Sequence, residues 1–308
     1  MLELAVASRE ETFERMRESL AARDVRARYV RPSGRTFAIV EEGRRPGEFR
    51  GFDVGFVYPP RLMEGGVVDA LLSVPWVNGP GAVLTSRNKG GVLASLAAAD
   101  VPVPETVVVS NPVEEADLVA AFDRFDPPVV VKPNSTTRGV GVTKAHDLDS
   151  FLGIADYLAL VHDFRATRDR SFLVQEHLPN VRDYRVMVVA GEHAGAVERR
   201  VPTETGWGDE SEGWSGEGGA AGGQAGRWKH NVHRNAVATA VDLPDDLVEL
   251  AERAARVLDI DFLGVDLLVS GDRAVVSETN ARPTIDEAGK YEPDFYDRLA
   301  SVIRSRVE

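Results

Sequence analysis

The sequence predicts an α/β protein built in two parts. Three observations carry that prediction. Short apolar strands alternate with amphipathic helices over about residues 1–84, the strand and helix signals continue without internal repeats after a proline-rich break, and an apolar hairpin carrying misplaced acids stands near the C-terminus. At 308 residues the chain is long enough for two or three α/β layers and a substantial core.

In the first part, Leu2–Ala7 reads as a strand, and Phe13, Met16 and Leu20 recur at helical spacing over Glu11–Ala22. Strands are expected at Val25–Val30, Thr36–Val40 and Asp53–Tyr58, and a helix at Leu62–Leu72, before Pro75-Trp76-Val77-Asn78-Gly79-Pro80 closes the unit. Strands alternating with helices imply a parallel sheet with right-handed crossovers. No GxGxxG is present, so a dinucleotide site is not expected here.

The second part opens on a helix, Thr85–Asp100, with Thr85 or Ser86 as N-cap, ended by Pro102 and Pro104. Strand Glu105–Val109, helix Val113–Phe122 and strand Pro128–Lys132 follow, then a Ser/Thr/Gly loop through Gly139 and Gly141. A helix is expected at Asp147–Asp163 and strands at Ser171–Leu178, Asp183–Ala190 and His193–Val201. Residues 203–226 are rich in Gly, Glu and Ser, with Trp207 and Trp214, and read either as a lid or as simple disorder. Helices are expected at Pro244–Leu258 and Pro293–Arg306.

Between those helices, Asp261–Pro283 reads as two apolar strands joined by a tight Ser270-Gly271-Asp272-Arg273 turn. Asp266 lies inside the first apolar run. Glu278 and Asn280 share one face of the second. If the turn is odd-numbered and centred on Asp272, Asp266 falls opposite Glu278, with facing Cβ atoms roughly 5 Å apart. Two bare carboxylates there repel, and burying them unpaired costs more. A divalent cation resolves both problems, and oxygen ligands suit Mg²⁺ or Mn²⁺. A wet hairpin face with ordinary surface acids is the other reading, and these residues alone do not choose between them.

Composition narrows the function classes. A formal charge of −13 repels phosphate backbones and argues against general nucleic-acid binding. No apolar run approaches the roughly 20 residues of a membrane span, and the N-terminus has neither the basic leader nor the long apolar core of a signal peptide. The absence of cysteine excludes a disulfide scaffold and is in keeping with a reducing cytoplasm. Only five basic residues are lysines, against 31 arginines, so each lysine is a candidate for a specific task. Such an acid-rich, lysine-poor chain is similar to those of salt-loving (halophilic) archaea.

Lys132, at a strand end beside flexible backbone amides, makes a workable phosphate site, although a solvated lysine beside a turn would look the same. Gln175-Glu176-His177 could present backbone groups to an adenine edge. Asp183 and Arg185 share one strand face, Glu198 and Arg200 another, and alternating pairs of this kind are ordinarily salt bridges. Lys229-His230-Asn231-Val232-His233-Arg234 is dense in donors suited to a phosphate or carboxylate, whereas zinc lacks further close ligands.

The order of these motifs is what matters: Lys89 on a helix; Lys132-Pro and a glycine loop; Gln-Glu176-His177; Asp183-x-Arg185; Glu198-Arg199-Arg200; Asn231-x-His233-Arg234; Gly264-Val265-Asp266; Glu278-Thr-Asn280-Ala-Arg-Pro283. Over about 85–305 this resembles the ATP-grasp superfamily, specifically its RimK-like branch of carboxylate–amine ligases. The resemblance implies an ATP-grasp fold: a Rossmann-like N-terminal α/β domain (1–84), then two α+β subdomains clasping ATP (85–308), with a hinge near 175–183. It implies ATP and two Mg²⁺ (or Mn²⁺) ions as cofactors, a small-molecule or peptide carboxylate acceptor and an amino acid as partners, and amide formation through an acyl phosphate. Self-association stays open.

Carried over residue by residue, the resemblance gives Lys89, Lys132 and the loop of Gly139 and Gly141 to the phosphates, Glu176 and His177 to the adenine end, and Asp183 to the ribose. Arg185, Arg199, Lys229 and Asn231 become catalytic, and Asp266, Glu278 and Asn280 metal ligands. His233, Arg234 and Arg282 face substrate. The chain departs from the family pattern at Asn235-Ala236, at Arg282, at Thr284 and in the long insertion before Lys229, all on the substrate side. Arg282 is therefore expected to set this chain's own substrate.

Overall fold

The computed structural model describes residues 1–7, 10–136, 139–162, 169–200 and 237–308. Its first sheet is parallel, in the order β2-β1-β3-β4, with β1 at Leu2–Val6, β2 at Val25–Tyr29, β3 at Val54–Phe56 and β4 at Trp76–Val77. Helix α1 (Glu10–Ala21) buries Met16 and Leu20 against one face, as its three- and four-residue spacing requires. Helix α2 (Leu62–Leu72) covers the other face with Val68, Leu71 and Leu72.

Two expectations in this region fail. Thr36–Val40 is not a strand: Phe37 alone of the segment packs against the neighbouring cluster, Ile39 and Val40 stay exposed, and the chain turns through Glu42 and Gly43 at positive φ. The helix read over Thr85–Asp100 is two helices, α3 (Pro80–Arg87) and α4 (Lys89–Ala98). Pro80 at the first turn starts α3 early. Asn88 breaks the run and caps α4, its Oδ1 accepting from the Gly91 amide at 3.0 Å. Ser86 is therefore no N-cap.

A four-stranded antiparallel sheet follows in the order β5-β8-β6-β7: β5 Thr106–Ser110, β8 Ser171–Glu176, β6 Val129–Pro133 and β7 Thr143–Ala145. Helices α5 (Glu115–Phe122) and α6 (Leu148–His162) pack on it through Phe122, Phe151 and Leu158. The third sheet runs β11-β10-β9-β12-β13, with β11 at Val237–Ala240, β10 at Glu192–Arg200, β9 at Arg182–Val189, β12 at Phe262–Ser270 and β13 at Arg273–Asn280. Beneath it, α4 and α7 (Asp245–Leu258) bury Leu96, Leu250 and Ala254 against Val186, Val188 and Val265. The short strands β4, β7 and β11 carry too few apolar residues to show as periodicity.

The opposite face of the third sheet has two characters. At one end Met187, Val189 and Phe262 join Phe56 of the first sheet and Leu299 and Ile303 of α8 (Phe295–Arg304) in one core, with the Phe56 and Phe262 rings 5.3 Å apart. At the other end the same strand faces carry Asp183, Arg185 and Asp266, which open onto a cleft.

Candidate active site

The cleft has a volume of about 1320 Å³, beyond the ~300–1,000 Å³ of ordinary ligand pockets and so roomy enough for two substrates together. One wall comes from α4 and β6. Lys89 opens α4 and is 5% exposed. Its Nζ donates to the Thr136 carbonyl and, at 3.4 Å, to that of Asn134, and stands 3.5 Å from Glu278 Oε1. Lys132 is 7% exposed. Burial, reinforced by Lys89 and only partly offset by Glu278 and Asp266, pulls its pKa down to about 8. The alternative of a solvated surface lysine is thereby excluded. Beyond it the chain turns through Gly139 and Gly141 at positive φ. At Gly141 a Cβ would come within 2.7 Å of Pro133, so only glycine fits that turn.

The facing wall is a row of charge across four adjacent strands. Arg199 on β10 lies opposite Asp183 on β9, Arg185 on β9 opposite Asp266 on β12, and Asp266 opposite Glu278 on β13. Arg185 grips both oxygens of Asp266, through Nε on Oδ1 and through Nη2 on Oδ2 at 2.8 Å. Arg199 donates to Asp183 at 3.1 and 2.5 Å and approaches Asp266 at 3.2 Å. Burial raises the Asp266 pKa, but Arg185 and Arg199 more than reverse it and the net shift is downward. For Asp183 burial prevails over Arg199 and its pKa goes up. Burial lowers Arg199, but the two acids carry it above its usual value. Asp183 and Arg185 thus pair across strands and not along one. Glu198 and Arg200 do form the expected ion pair at 2.6 Å, with Arg182 joining Glu198 at 3.1 Å.

Asp266 meets Glu278 by a route the sequence reading did not foresee. The turn is not odd-numbered: Ser270 pairs with Arg273 around a two-residue Gly271-Asp272 turn, with Gly271 at φ +61°. In that register Asp266 would face Ser277. A bulge after Val276 makes Ser277 an extra residue and moves Glu278 into its place. Ala274 and Val276 therefore point to the helix side with α7, while Glu278 and Asn280 turn to the cleft. Ser277 Oγ donates to the Asp266 carbonyl at 3.2 Å.

Asn280 Oδ1 accepts from the Arg282 amide at 2.9 Å. The strand on either side of Asn280 is braced by two residues with no place in the motif reading. Ser86 Oγ donates to the Thr279 carbonyl at 3.0 Å and accepts from the Ala281 amide at 2.8 Å. Asn78 Nδ2 donates to the carbonyls of Phe262 and, at 2.7 Å, Ala281. A polar side chain ending an apolar run, just before the closing Gly-Pro, was the available signal for Asn78.

At the cleft's other end, burial raises the pKa of Glu176, but Arg273 and the Glu105 amide outweigh it and the net shift is downward. Each Glu176 oxygen is 2.6 Å from an Arg273 nitrogen. The Glu176 side chain is thus committed to tying the second sheet to the tip of the β12–β13 hairpin. Burial first, then Lys144 and His146, lowers the pKa of His177. Arg282 lines the cleft. Lys229, Asn231, His233, Arg234 and the Gly-rich loop at 203–226 lie outside the described residues.

Among the described residues no three His, Asp or Glu side chains gather into a ready-made metal cage. Two facing carboxylates with an adjacent amide oxygen nevertheless suit Mg²⁺, which is ordinarily held by one or two carboxylates plus substrate phosphates.

A family model of the RimK-like ATP-grasp domain matches residues 86–205 and 218–298. A probable alpha-L-glutamate ligase from Mannheimia succiniciproducens is 27% identical over 219 residues, covering 70% of this chain and 62% of that protein. The chain spans less than two thirds of the length of the curated relatives it matches. Among solved structures, a RimK domain ATP-grasp protein from Sphaerobacter thermophilus superposes with a TM-score of 0.62 at 22% identity, covering 98% of this chain and 99% of that one. D-alanine–D-alanine ligase from Bacillus anthracis complexed with ATP gives 0.65 at 13% identity, covering 100% and 97%.

Proposed function

Because this chain belongs to the RimK-like ATP-grasp family, we propose that it is an ATP-dependent carboxylate–amine ligase, adding glutamate or another amino acid to a carboxylate acceptor. The observation that carries this reading is the pairing of walls: two buried lysines face an Asp266/Glu278/Asn280 edge across one cleft large enough for nucleotide and acceptor together.

In the first step an acceptor carboxylate oxygen attacks the γ-phosphorus of ATP. The bond to the bridging oxygen breaks, leaving an acyl phosphate and ADP. In the second an amine attacks the acyl carbon, phosphate departs, and the nitrogen loses a proton. No side-chain nucleophile is needed, and the protein's part is positioning and charge neutralisation. Lys89 and Lys132 hold phosphate oxygens, and the turn at Gly139 and Gly141 brings backbone amides to them. The chain at Glu176 and His177 borders the adenine, and Asp183 the ribose. Two Mg²⁺ (or Mn²⁺) ions held by Asp266, Glu278 and Asn280 would supply neutralisation of the phosphoryl oxygens. Arg185 and Arg199, now turned onto Asp266 and Asp183, stand beside the transferring group. Lys229 and Asn231 as catalytic residues, and His233, Arg234 and Arg282 as substrate contacts, rest on the family resemblance alone. Residues 1–84 are taken as the N-terminal domain and 85–308 as the ATP-grasp domain.

A nucleotide-binding regulator without turnover is the second reading, and the complete oxygen set on β12 and β13 speaks against it. No described helix is long and apolar enough to cross a membrane, so the substrates are sought in soluble extract. The test is a mass-spectrometric screen of cell extract incubated with protein, ATP and Mg²⁺. Products heavier by one amino-acid residue support the ligase. ATP consumption without any such product contradicts it.

A further inference from the structure

The first sheet, in the order β2-β1-β3-β4, has its switch point between β1 and β3. In open parallel sheets ligands gather beyond the carboxyl ends of the strands at such a point. The cleft extends there, lined by Glu11 and Arg15 in the first half of α1, Ser33 after β2 and Pro60 after β3. Most charges at this end already have counter-charges. Arg15 pairs with Glu11 at 2.7 Å and Asp286 at 3.3 Å, and Lys290 with Asp286 at 2.8 Å.

Arg87 differs. It is the last residue of α3, half-buried, and lines the same cleft beside Val83 and Ser86. One terminal nitrogen donates to the Pro60 carbonyl at 2.6 Å, while Nε is buried with no hydrogen-bond partner among the described residues. Burial lowers its pKa, and among the described residues no acid opposes the shift. A guanidinium withdrawn from water without a counter-charge is costly. A stitch to the Pro60 carbonyl alone would need a single donor, which any helix-end lysine or glutamine supplies. The planar fork matches a carboxylate.

We propose that Arg87 is the seat for a carboxylate of the acceptor substrate, at the switch-point end of the cleft. This rests on the ligase reading above and names the residue by which the first sheet's edge takes part in it.

The test is calorimetry on the intact protein saturated with ADP and Mg²⁺, with N-acetyl-L-glutamate as the dicarboxylate probe, on wild type, Arg87→Gln and Arg87→Lys. Melting curves are recorded alongside to establish that the variants fold. Arg87→Gln is expected to weaken the probe by about tenfold or more, with ADP affinity within about twofold of wild type and partial recovery in Arg87→Lys. Equal probe affinity in wild type and Arg87→Gln overturns the proposal. So does a loss of ADP affinity in the variant, which would make Arg87 a phosphate contact, and so does a wild type that binds ADP but not the probe. A wild type that does not bind ADP fails the ligase reading itself, and this proposal with it.

Discussion

Glu278 faces Asp266 because Ser277 is an extra residue in β13, yet the two acids stand in different surroundings. Asp266 is buried between Arg185 and Arg199, whereas Glu278 is about a third exposed and, among the described residues, has its ion pair with Lys89, at 3.5 Å. Asp266→Asn should therefore lower stability by about 3 kcal/mol, since Arg185 loses its charge partner and Arg199 one of its two. Glu278→Gln should change stability by less than about 1 kcal/mol. Both should lower ligation by about 100-fold or more. Urea denaturation beside an ADP-release assay checks this, and equal stabilities would show that the arginines do not depend on Asp266.

Lys132 carries a cost that the fold itself does not require. With its pKa near 8 against an ordinary 10.5, it is charged in both folded and unfolded chains below about pH 8, where the burial cost is carried in full. Between about 8 and 10.5 the folded chain releases the proton first, so stability should rise with pH by up to about 3 kcal/mol. Lys132→Met should remove that rise, fold at least as well as wild type at pH 7, and lose ATP-dependent ligation. Chemical denaturation from pH 7 to 10 reads the slope, and an identical slope in the variant would contradict it.

Nucleotide binding should be linked to the same proton. Triphosphate beside Lys132 favours the charged form, so ATP binding at pH 9 should take up a proton and weaken as pH rises above about 8. Calorimetry in buffers of different ionisation enthalpy measures the uptake. Binding without proton uptake at pH 9 would place the phosphates elsewhere.

Ser86 holds both neighbours of Asn280. Ser86→Ala should cost about 1–2 kcal/mol in stability and raise the Mg²⁺ concentration needed for half-maximal activity, with little change in the ATP requirement at saturating Mg²⁺. An unchanged Mg²⁺ dependence would make the brace purely structural.

Arg273 grips Glu176 across the junction of two sheets. Since Arg273 is largely exposed, Arg273→Ala should change stability by under about 1 kcal/mol. It should raise the KM for ATP with kcat nearly unchanged if, as proposed, Glu176 borders the adenine end. A fall in kcat at constant KM would contradict that placement.

The strands, helices and charged motifs were legible because their signals are local: α1 from helical spacing, α7 from a proline at its first turn, Lys132 from its place at a strand end, Asp266 from its intrusion into an apolar run. What stayed hidden depends on pairing between distant segments. The bulge at Ser277 leaves no mark in the hairpin's composition. The pairing of Arg185 with Asp266 and of Arg199 with Asp183 follows from strand order. Asn78 and Ser86 act on backbone groups about two hundred positions away, which no motif spacing reveals. Thr36–Val40 shows the reverse case, a strand-like run that pairs with no strand of the first sheet.

The central claim is tested most directly by ADP formation from ATP and Mg²⁺ with a carboxylate acceptor and an amine supplied together or singly. Sustained ADP release with amide product only when both are present is the predicted result, abolished by Lys132→Ala and Glu278→Ala. Full activity in either variant, or ADP release indifferent to acceptor and amine, would contradict the account.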